Sequence, residues 1–412
     1  MPPLVLSFFA ALTILAPQLR GAVTGMLLSY LTMTWLSMPS VPNHQVLLSL
    51  IDLLLLLDLA RRSEHFPSSH TVATTRALIV VIYFFAALAK MNSEFLGPLS
   101  CADIFTQHIG AFFRVLSGKS PLDSVPSNVI RWGALVIEFL LLPLLIFRRT
   151  RSVGVLLAML FHLGLAIDPV KRFFNFSAVM YVGLLTFLLP LRDALRLPRL
   201  LVASAKAGSL LFLFAALCLS YDAELSTASL LGRFALGAML WLLSFVPISL
   251  FLLSRNWRAP PESSLSGASA PYLAVLLVAL LNGLAPYLGL KTGSSFTMYS
   301  NLRIDAQSSN HLIIPRSLNL LGLMEEPVTI VGSSNEALRA AIQSEGSLRV
   351  YPFELYRLLL EHPNDYVEYE NQLGEQRRAG RGSPLPPAPP FLWLRWWIVF
   401  HPLHERAPRC IW

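Results

Sequence analysis

Long apolar stretches dominate the first 290 residues of the chain and alternate with short basic connections. Apolar runs of about 17–25 residues can cross the hydrocarbon of a bilayer as α-helices. The pattern predicts about nine to ten transmembrane helices, several of them short for a full crossing. In the long connection after the fourth run, helical spacing of apolar residues predicts an interfacial helix near residues 104–116. The predicted transmembrane helices span residues 4–19, 22–38, 45–60, 75–91, 129–147, 152–168, 173–190, 207–221, 230–254 and 269–288.

Composition supports the same fold class. Hydrophobic residues make up 54% of the chain and charged residues only 14%. Soluble domains carry about 25% charged residues, so a large soluble core does not explain this composition. The sequence therefore predicts an all-α polytopic integral membrane protein, with membrane lipid as its surroundings.

The basic loops predict an orientation. Ten spans place Arg61-Arg62 and the Arg148–Arg151 turn on one side, and the acidic loop at Asp222–Glu224 on the other. Basic loops favour the cytoplasmic side, so both termini are expected outside; Lys171-Arg172 is the exception. These loops also account for the net charge of +8, and stacking aromatic residues do not accompany them, so no nucleic-acid partner is predicted.

The character of the chain changes after residue 290. Strand-like runs at 326–331 and 365–370 alternate with helical stretches, which predicts a small extracytoplasmic α+β domain over residues 291–382. A proline-rich linker then leads to a tail whose tryptophans and arginine are typical of a membrane interface. The predicted domains are therefore residues 1–290, 291–382 and 383–412.

Lys90 is the main candidate for chemistry because it ends the apolar run 75–91. A bilayer disfavours an ammonium group by several kcal/mol, so this lysine must lie at an interface, in a wet cavity or beside a partner. Lysine side chains become bases near neutral pH when water is scarce around them. The alternative is an anchor whose apolar stem stays in lipid while its ammonium reaches water.

Three further polar residues fall at a similar predicted depth. With the topology above, Asn43, His44 and His162 all lie towards the outer side, as Lys90 does. Polar groups that converge within a membrane cavity are typical of a binding site. The alternatives are that His44 is a solvated residue at a helix start, and that His162 forms a hydrogen bond with another helix.

The sequence contains few other patterns that are typical of catalysis or metal binding. The cysteines Cys101, Cys218 and Cys410 lack CxxC spacing, so no disulfide framework and no metal site are predicted. P-loop, HExxH and GxSxG patterns are missing as well. Asp52 and Glu138 lie inside predicted spans, as the carboxylates of a proton-coupled transporter would.

Four segments together resemble a known family. Ala87-Leu-Ala-Lys90-Met-Asn92-Ser-Glu94-Phe-Leu-Gly97 is similar to the AGLAKLNxDWLxG signature of the horizontally transferred transmembrane domain (HTTM) family, which includes the vitamin K-dependent gamma-carboxylases. Asn43-His44-Gln45 resembles the family's Asn-His turn, and Val136–Pro143 resembles its IExxLLP helix. The stretch from Arg149 to His162 resembles its basic turn, glycine and Phe-His step. The resemblance covers about residues 40–190, and Glu94 and Phe95 depart from the signature's Asp and Trp.

The resemblance implies a function. In the carboxylases the lysine that matches Lys90 deprotonates a quinol, and the products are a quinone epoxide and a carboxylated glutamate. It implies Lys90 as the catalytic base here, with Asn43, His44 and His162 binding a reduced, vitamin K-like quinone. The implied enzyme is a quinol-dependent carboxylase or epoxidase that modifies a secreted peptide.

The alternative hypothesis is a non-enzymatic function. As a transporter or a maturation and assembly factor, the protein would use Lys90, His44 and His162 only to stabilise helix ends and contacts. Replacing Lys90 with arginine distinguishes the two readings, because arginine keeps the charge of an anchor but does not deprotonate.

Overall fold

The structure is a computed structural model that describes residues 2–63, 66–97, 110, 118–120, 124–166, 175–189, 197–221, 241–257, 269–324, 326–345 and 348–403. Most of the predicted interfacial helix at 104–116 lies outside these residues. Also outside are the acidic loop at 222–224, the pair Lys171-Arg172, the start of the predicted span 230–254, Cys101 and Cys410.

The described residues are mainly helical, with a small sheet near the C-terminus. The helices are α1 Pro2–Leu15, α2 Arg20–Leu36, α3 Asn43–Ala60, α4 Ser69–Lys90, α5 Ser127–Ile146, α6 Arg151–Ala166, α7 Asn175–Leu185, α8 Arg199–Tyr221, α9 Val246–Asn256, α10 Ala270–Leu288, α11 Glu336–Glu345 and α12 Pro352–Glu361. The strands are β1 Val328–Ser333, β2 Leu348–Val350, β3 Tyr366–Glu370 and β4 Gln376–Gly380. Short 3₁₀ turns lie at Thr186–Leu188 and Leu392–Trp396, and a π-helical turn at Trp241–Phe245 precedes α9.

Four described helices are long and apolar enough to cross a membrane: α3, α4, α5 and α10. The prediction of about nine to ten spans is therefore not supported. The apolar runs are present, but several form helices too short for a bilayer, which needs about 20 residues at 1.5 Å each. For example, α1 has 14 residues and α7 has 11.

The contacts within the chain divide it into two units. The first, called the helical unit here, comprises Met1–Leu36, His44–Phe84 and Asp103–Leu280. In it α1 packs against α2 and α8, while α6 packs against α5 and α7. Asp58 at the end of α3 is buried and accepts hydrogen bonds from the Tyr272 hydroxyl (2.6 Å) and the Ser68 hydroxyl (2.7 Å). These bonds join three helix ends.

The second unit, called the sheet unit, comprises Ser37–Asn43, Phe85–Ala102 and Leu281–Trp412. Its four strands are antiparallel in the order β2-β1-β3-β4, with Ile330 opposite both Leu348 and Tyr369. Alternating residues of the strands point to one face, where α11 and α12 cover them. The prediction of an α+β region with strands near 326–331 and 365–370 is confirmed. The buried core contains Val328, Ile330, Leu348, Val350, Leu355, Leu359, Val367, Tyr369 and Ala379.

The chain after the proline-rich segment packs back onto this unit. Ile398 and Phe400 are buried in a second core with Tyr351 and Phe353. The Phe400 amide donates to the Glu354 carboxylate at 2.7 Å. Three tryptophans of this segment remain exposed: Trp393, Trp396 and Trp397.

Candidate functional site

Lys90 is the last residue of α4 and is almost completely buried, with 1% of its surface exposed. Its Nζ donates to the carbonyl oxygen of Met298 at 2.9 Å and reaches that of Ala86 at 3.4 Å. The same Nζ lies 5.9 Å from the centre of the Phe95 ring. This geometry does not fit an anchor whose ammonium reaches bulk water.

Asn43 binds the same loop as Lys90. The side-chain oxygen of Asn43 accepts a hydrogen bond from the Phe296 amide at 2.6 Å, two residues before the Met298 carbonyl that Lys90 contacts. In the same loop, the Ser294 hydroxyl donates to the Val41 carbonyl. Two of the predicted site residues, Asn43 and Lys90, are therefore brought to one segment, residues 294–298.

This loop has a strained backbone. Four non-glycine residues within it or directly after it have positive φ angles: Ser294 (54°), Phe296 (60°), Tyr299 (52°) and Asn301 (52°). A left-handed conformation is unfavourable for residues with a Cβ and persists only where the surroundings impose it. Clusters of such residues are found at functional sites, so the geometry makes this loop a candidate site beside the sequence-predicted residues Asn43 and Lys90.

Asn92, which sequence reasoning did not single out, organises the end of α4. It is fully buried, and its amide nitrogen donates to the carbonyls of Ala89 (2.7 Å) and Ser300 (2.6 Å). Its side-chain oxygen accepts from the amides of Phe95 (2.8 Å) and Glu94 (3.1 Å). Asn92 lies two positions after Lys90 in the segment that resembles the HTTM signature. This position is the one feature of the sequence that indicates a role for Asn92.

His311 is the second residue that sequence reasoning missed. Its Nδ1 accepts from the amides of Ile313 and Ile314, both at 3.1 Å. The proton of the neutral ring is therefore on Nε2, which donates to the Leu88 carbonyl at 2.9 Å. Burial lowers the pKa of His311. His311 follows a polar run without periodicity, so no sequence pattern predicts that it lies beside α4.

Two charged residues complete this part of the sheet unit. Glu94, at the position where the signature has aspartate, forms an ion pair with Arg303. Lys291 contacts the Ser294 carbonyl at 3.4 Å, and burial lowers the pKa of this lysine to about 8. Lys291 is thus a second amine beside the loop 294–298.

The two predicted histidine sites lie in the helical unit. His162 is buried, its Nε2 is 2.8 Å from the Tyr83 hydroxyl, and its ring lies 5.1 Å from that of Phe176. His44 lies 6.4 Å from the same phenylalanine ring. The structure therefore brings His44 and His162 to one aromatic residue. The hydrogen bond between His162 and Tyr83 joins two helices, as the structural alternative for His162 predicts. A single pocket for all four residues stays a prediction.

The helical unit also contains a cavity of about 420 Å³ that none of the four predicted residues lines. Arg76 at the start of α4 and Arg151 at the start of α6 contribute its charged side chains. The sequence pattern predicts that Arg151 belongs to a cytoplasmic basic turn, and it gives no signal for Arg76. Within the described part of the chain, no group of three or more His, Cys, Asp or Glu residues is placed to hold a metal ion.

The apolar helices and their length define the class: this is a membrane protein. Residues 4–193 match the family model of the HTTM domain, which is found in membrane proteins such as vitamin K-dependent carboxylases. The resemblance seen around Lys90 is thereby confirmed at the level of the domain, while a closer relation to the carboxylases is not. Comparisons with curated proteins and with solved structures found no match.

Proposed function

We propose that this protein is a multi-pass membrane enzyme in which the Lys90 amine removes a proton from a quinol-like acid. The observation that carries the proposal is a lysine that is 1% exposed at a helix end of the HTTM domain and that is oriented by a backbone carbonyl. In the proposed reaction the amine acts in its neutral form, whose lone pair takes the proton.

The residues around Lys90 suit a reduced quinone of the vitamin K type. The buried ring of Phe95 lies 5.9 Å from Nζ and makes the surroundings of the amine apolar. When bound, a hydroquinone supplies acidic O–H groups and reacts with O₂ to give a quinone epoxide and water. In the proposed step the O–H bond breaks, Nζ takes the proton, and the electron pair stays on the oxygen.

Asn43 is proposed to act through the loop. Because its side chain holds the Phe296 amide, it fixes the segment that also positions the Lys90 amine. In this proposal His44 and His162 contribute to quinol binding, and the final substrate is a secreted peptide that is carboxylated on the extracytoplasmic side. The α+β region of the sheet unit would then face that side.

The proposal is tested with the full chain in lipid nanodiscs, supplied with reduced phylloquinone and O₂, by measuring the quinone epoxide with mass spectrometry. Lys90→Arg is expected to abolish epoxide formation because arginine stays protonated. Lys90→Ala is expected to do the same and to regain part of its activity when a small primary amine is added.

Lys291→Arg is the matched control, since Lys291 contacts the same loop. This variant is expected to retain activity. Epoxide formation by a well-inserted Lys90→Arg variant would contradict the proposal, and so would a wild-type protein that makes no epoxide. If only Lys291→Arg lost epoxide formation, Lys291 and not Lys90 would be the base.

The second candidate is a proton-coupled transporter. Asp52 in α3 and Glu138 in α5 are both buried, with 5% of their surfaces exposed, inside membrane-length helices. Buried carboxylates in such helices are typical of proton pathways. Proton uptake into proteoliposomes that is lost in Asp52→Asn and unchanged in Lys90→Arg would favour this function.

A further inference from the structure

The loop at residues 311–320 of the sheet unit exposes aliphatic side chains and buries polar ones. The polar residues His311 and Ser317 are only 5% and 4% exposed. A loop surrounded by water usually has the opposite arrangement, because burying apolar surface is favourable. Single exposed aliphatic residues are common on proteins, whereas a group of them marks an interaction surface. Four aliphatic residues of this loop have between 57% and 70% of their surfaces exposed: Leu312, Ile313, Leu318 and Leu320.

Hydrogen bonds of the polar side chains fix this arrangement. His311 accepts from the backbone amides of the two residues that follow Leu312. The Ser317 hydroxyl accepts from the Asn319 amide at 3.1 Å, and the Asn319 side-chain oxygen accepts from the Met324 amide at 3.0 Å. Turning the loop over to bury its aliphatic side chains would break these bonds, at a cost in free energy. The exposed aliphatic surface is therefore part of the folded state.

The backbone of this loop is attached to the ends of two long apolar helices. The Leu312 amide donates to the Met91 carbonyl at 2.9 Å, directly after the last residue of α4. The amides of Leu318 and Leu320 donate to carbonyls of the last two residues of α10, both at 2.9 Å. Both helices are long and apolar enough to cross a membrane. The loop therefore lies where α4 and α10 would leave the hydrocarbon of a bilayer.

We propose that loop 311–320 inserts its aliphatic side chains into the lipid bilayer, at the boundary between acyl chains and headgroups. The last two turns of α10 continue the apolar surface, because Leu281 and Leu284 are 47% and 38% exposed. Arg316 is also exposed, and an arginine at this depth reaches the lipid phosphates with its guanidinium group. Acidic residues, which a bilayer disfavours, do not occur in the sequence of this loop. The proposal does not depend on the reaction proposed for Lys90.

A partner protein or a second copy of the chain would also cover exposed aliphatic side chains. The lipid is favoured here because the loop is attached to the ends of two membrane-length helices. The two kinds of cover differ in what reaches the loop. Acyl chains admit dissolved O₂ and exclude water-soluble metal complexes, whereas a packed protein interface excludes both.

The experiment uses the full chain in phosphatidylcholine nanodiscs, with its three native cysteines replaced by alanine. A nitroxide is attached to Ile313→Cys or Leu318→Cys, at side chains whose exposure lets the label fit without disturbing the core. Power-saturation electron paramagnetic resonance then measures the collisions of each label with O₂ and with nickel ethylenediaminediacetate, a water-soluble complex. Both labels are expected to have a several-fold higher ratio of O₂ collisions to nickel collisions than a label in water.

Leu373→Cys is the matched control, because Leu373 is an 83% exposed leucine of the same unit in the turn between β3 and β4. Its label is expected to give the low ratio of a water-exposed site, and a label at Leu281→Cys in α10 gives the ratio for a lipid-facing site. The proposal is overturned if the labels at Ile313 and Leu318 give the same ratio as the label at Leu373. It is also overturned if both labels are protected from O₂ and nickel alike, which would show a protein partner instead of lipid.

Discussion

At the scale of single residues, the end of α4 depends on the Asn92 amide and the His311 imidazole, whose hydrogen bonds go mainly to the backbone. Asn92 uses both N–H donors and its oxygen on four different main-chain groups. Such a residue specifies a unique local geometry, because each unsatisfied buried group costs about 1–3 kcal/mol. Asn92 and His311 therefore hold the backbone on which Lys90 is positioned.

Asn92→Asp tests this role. A carboxylate keeps the acceptor but loses the donors to Ala89 and Ser300, and its charge opposes their carbonyl oxygens. We expect the free energy of unfolding to fall by about 3 kcal/mol, measured by thermal unfolding in detergent. Asn364→Asp is the control, because Asn364 is an exposed asparagine of the same unit. An unchanged stability for Asn92→Asp would show that the network is not formed.

Lys291 gives a prediction for pH. Burial lowers the pKa of this lysine in the folded protein to about 8, below the value of about 10.4 in an unfolded chain. Between these pH values the unfolded state binds more protons, so Lys291 makes the stability rise with pH from 8 to 10 and opposes folding below 8.

Lys291→Met removes this contribution. The variant is expected to have a higher unfolding temperature than the wild type at pH 7, and the difference is expected to shrink as the pH approaches 10. Lys119→Met, at an exposed lysine, serves for comparison. A difference that is constant between pH 7 and pH 10 would contradict the lowered pKa.

At the scale of elements, the close approach of α5 and α6 depends on one glycine. A Cβ on Gly154 would lie 2.8 Å from the Leu144 Cβ and 2.9 Å from the Leu144 carbonyl carbon. Because the second atom belongs to the backbone, the contact is not relieved by a change of rotamer. The glycine in the basic turn and Phe-His segment of the HTTM resemblance therefore has a packing reason here.

Gly154→Ala is expected to destabilise the protein by about 1–3 kcal/mol through overpacking. Gly133→Ala is the matched change in α5, where nothing lies within 4 Å of the new Cβ. There the better helix propensity of alanine is expected to raise stability by up to about 1 kcal/mol. Comparing the unfolding midpoints of the two variants checks both expectations, and equal shifts would argue against the close contact.

Sequence patterns predicted the positions of helices better than their lengths. The apolar run 4–19 continues past Pro17, but α1 ends at Leu15, because a proline disfavours helical conformation in the residue before it. Hydropathy counts apolar residues without regard to such ends, so it predicts more spans than the four found among the described residues. In the sheet unit, alternation at Val328 and Ile330 marked β1 clearly because one face is buried.

At the scale of the whole molecule, the candidate site was only partly predictable. Lys90 and Asn43 stood out because a charge ending an apolar run and a family-like turn are local signals. The loop 294–298 that both residues contact lies more than 200 residues away in sequence, and its left-handed residues include no glycine. Nothing local in the sequence predicts that pairing, nor the cavity formed by Arg76 and Arg151.

The C-terminal segment packs into the core of the sheet unit. The sequence predicts a linker and an interfacial tail over residues 383–412. In the structure Phe400 is 3% exposed in a core with Tyr351 and Phe353. Its amide also donates to Glu354 of α12. The folded sheet unit therefore includes the segment around Phe400 in addition to its strands and helices.

Phe400→Ala is expected to destabilise the sheet unit by about 3–5 kcal/mol, the usual effect of removing a buried phenylalanine ring. Limited proteolysis of the full chain should then cut between β2 and β3, at sites that the wild type protects. Trp393→Ala removes a larger aromatic side chain that is 69% exposed, so it should leave the protection unchanged. If both variants are cut equally, the tail contributes through its surface at the membrane and not through the core around Tyr351.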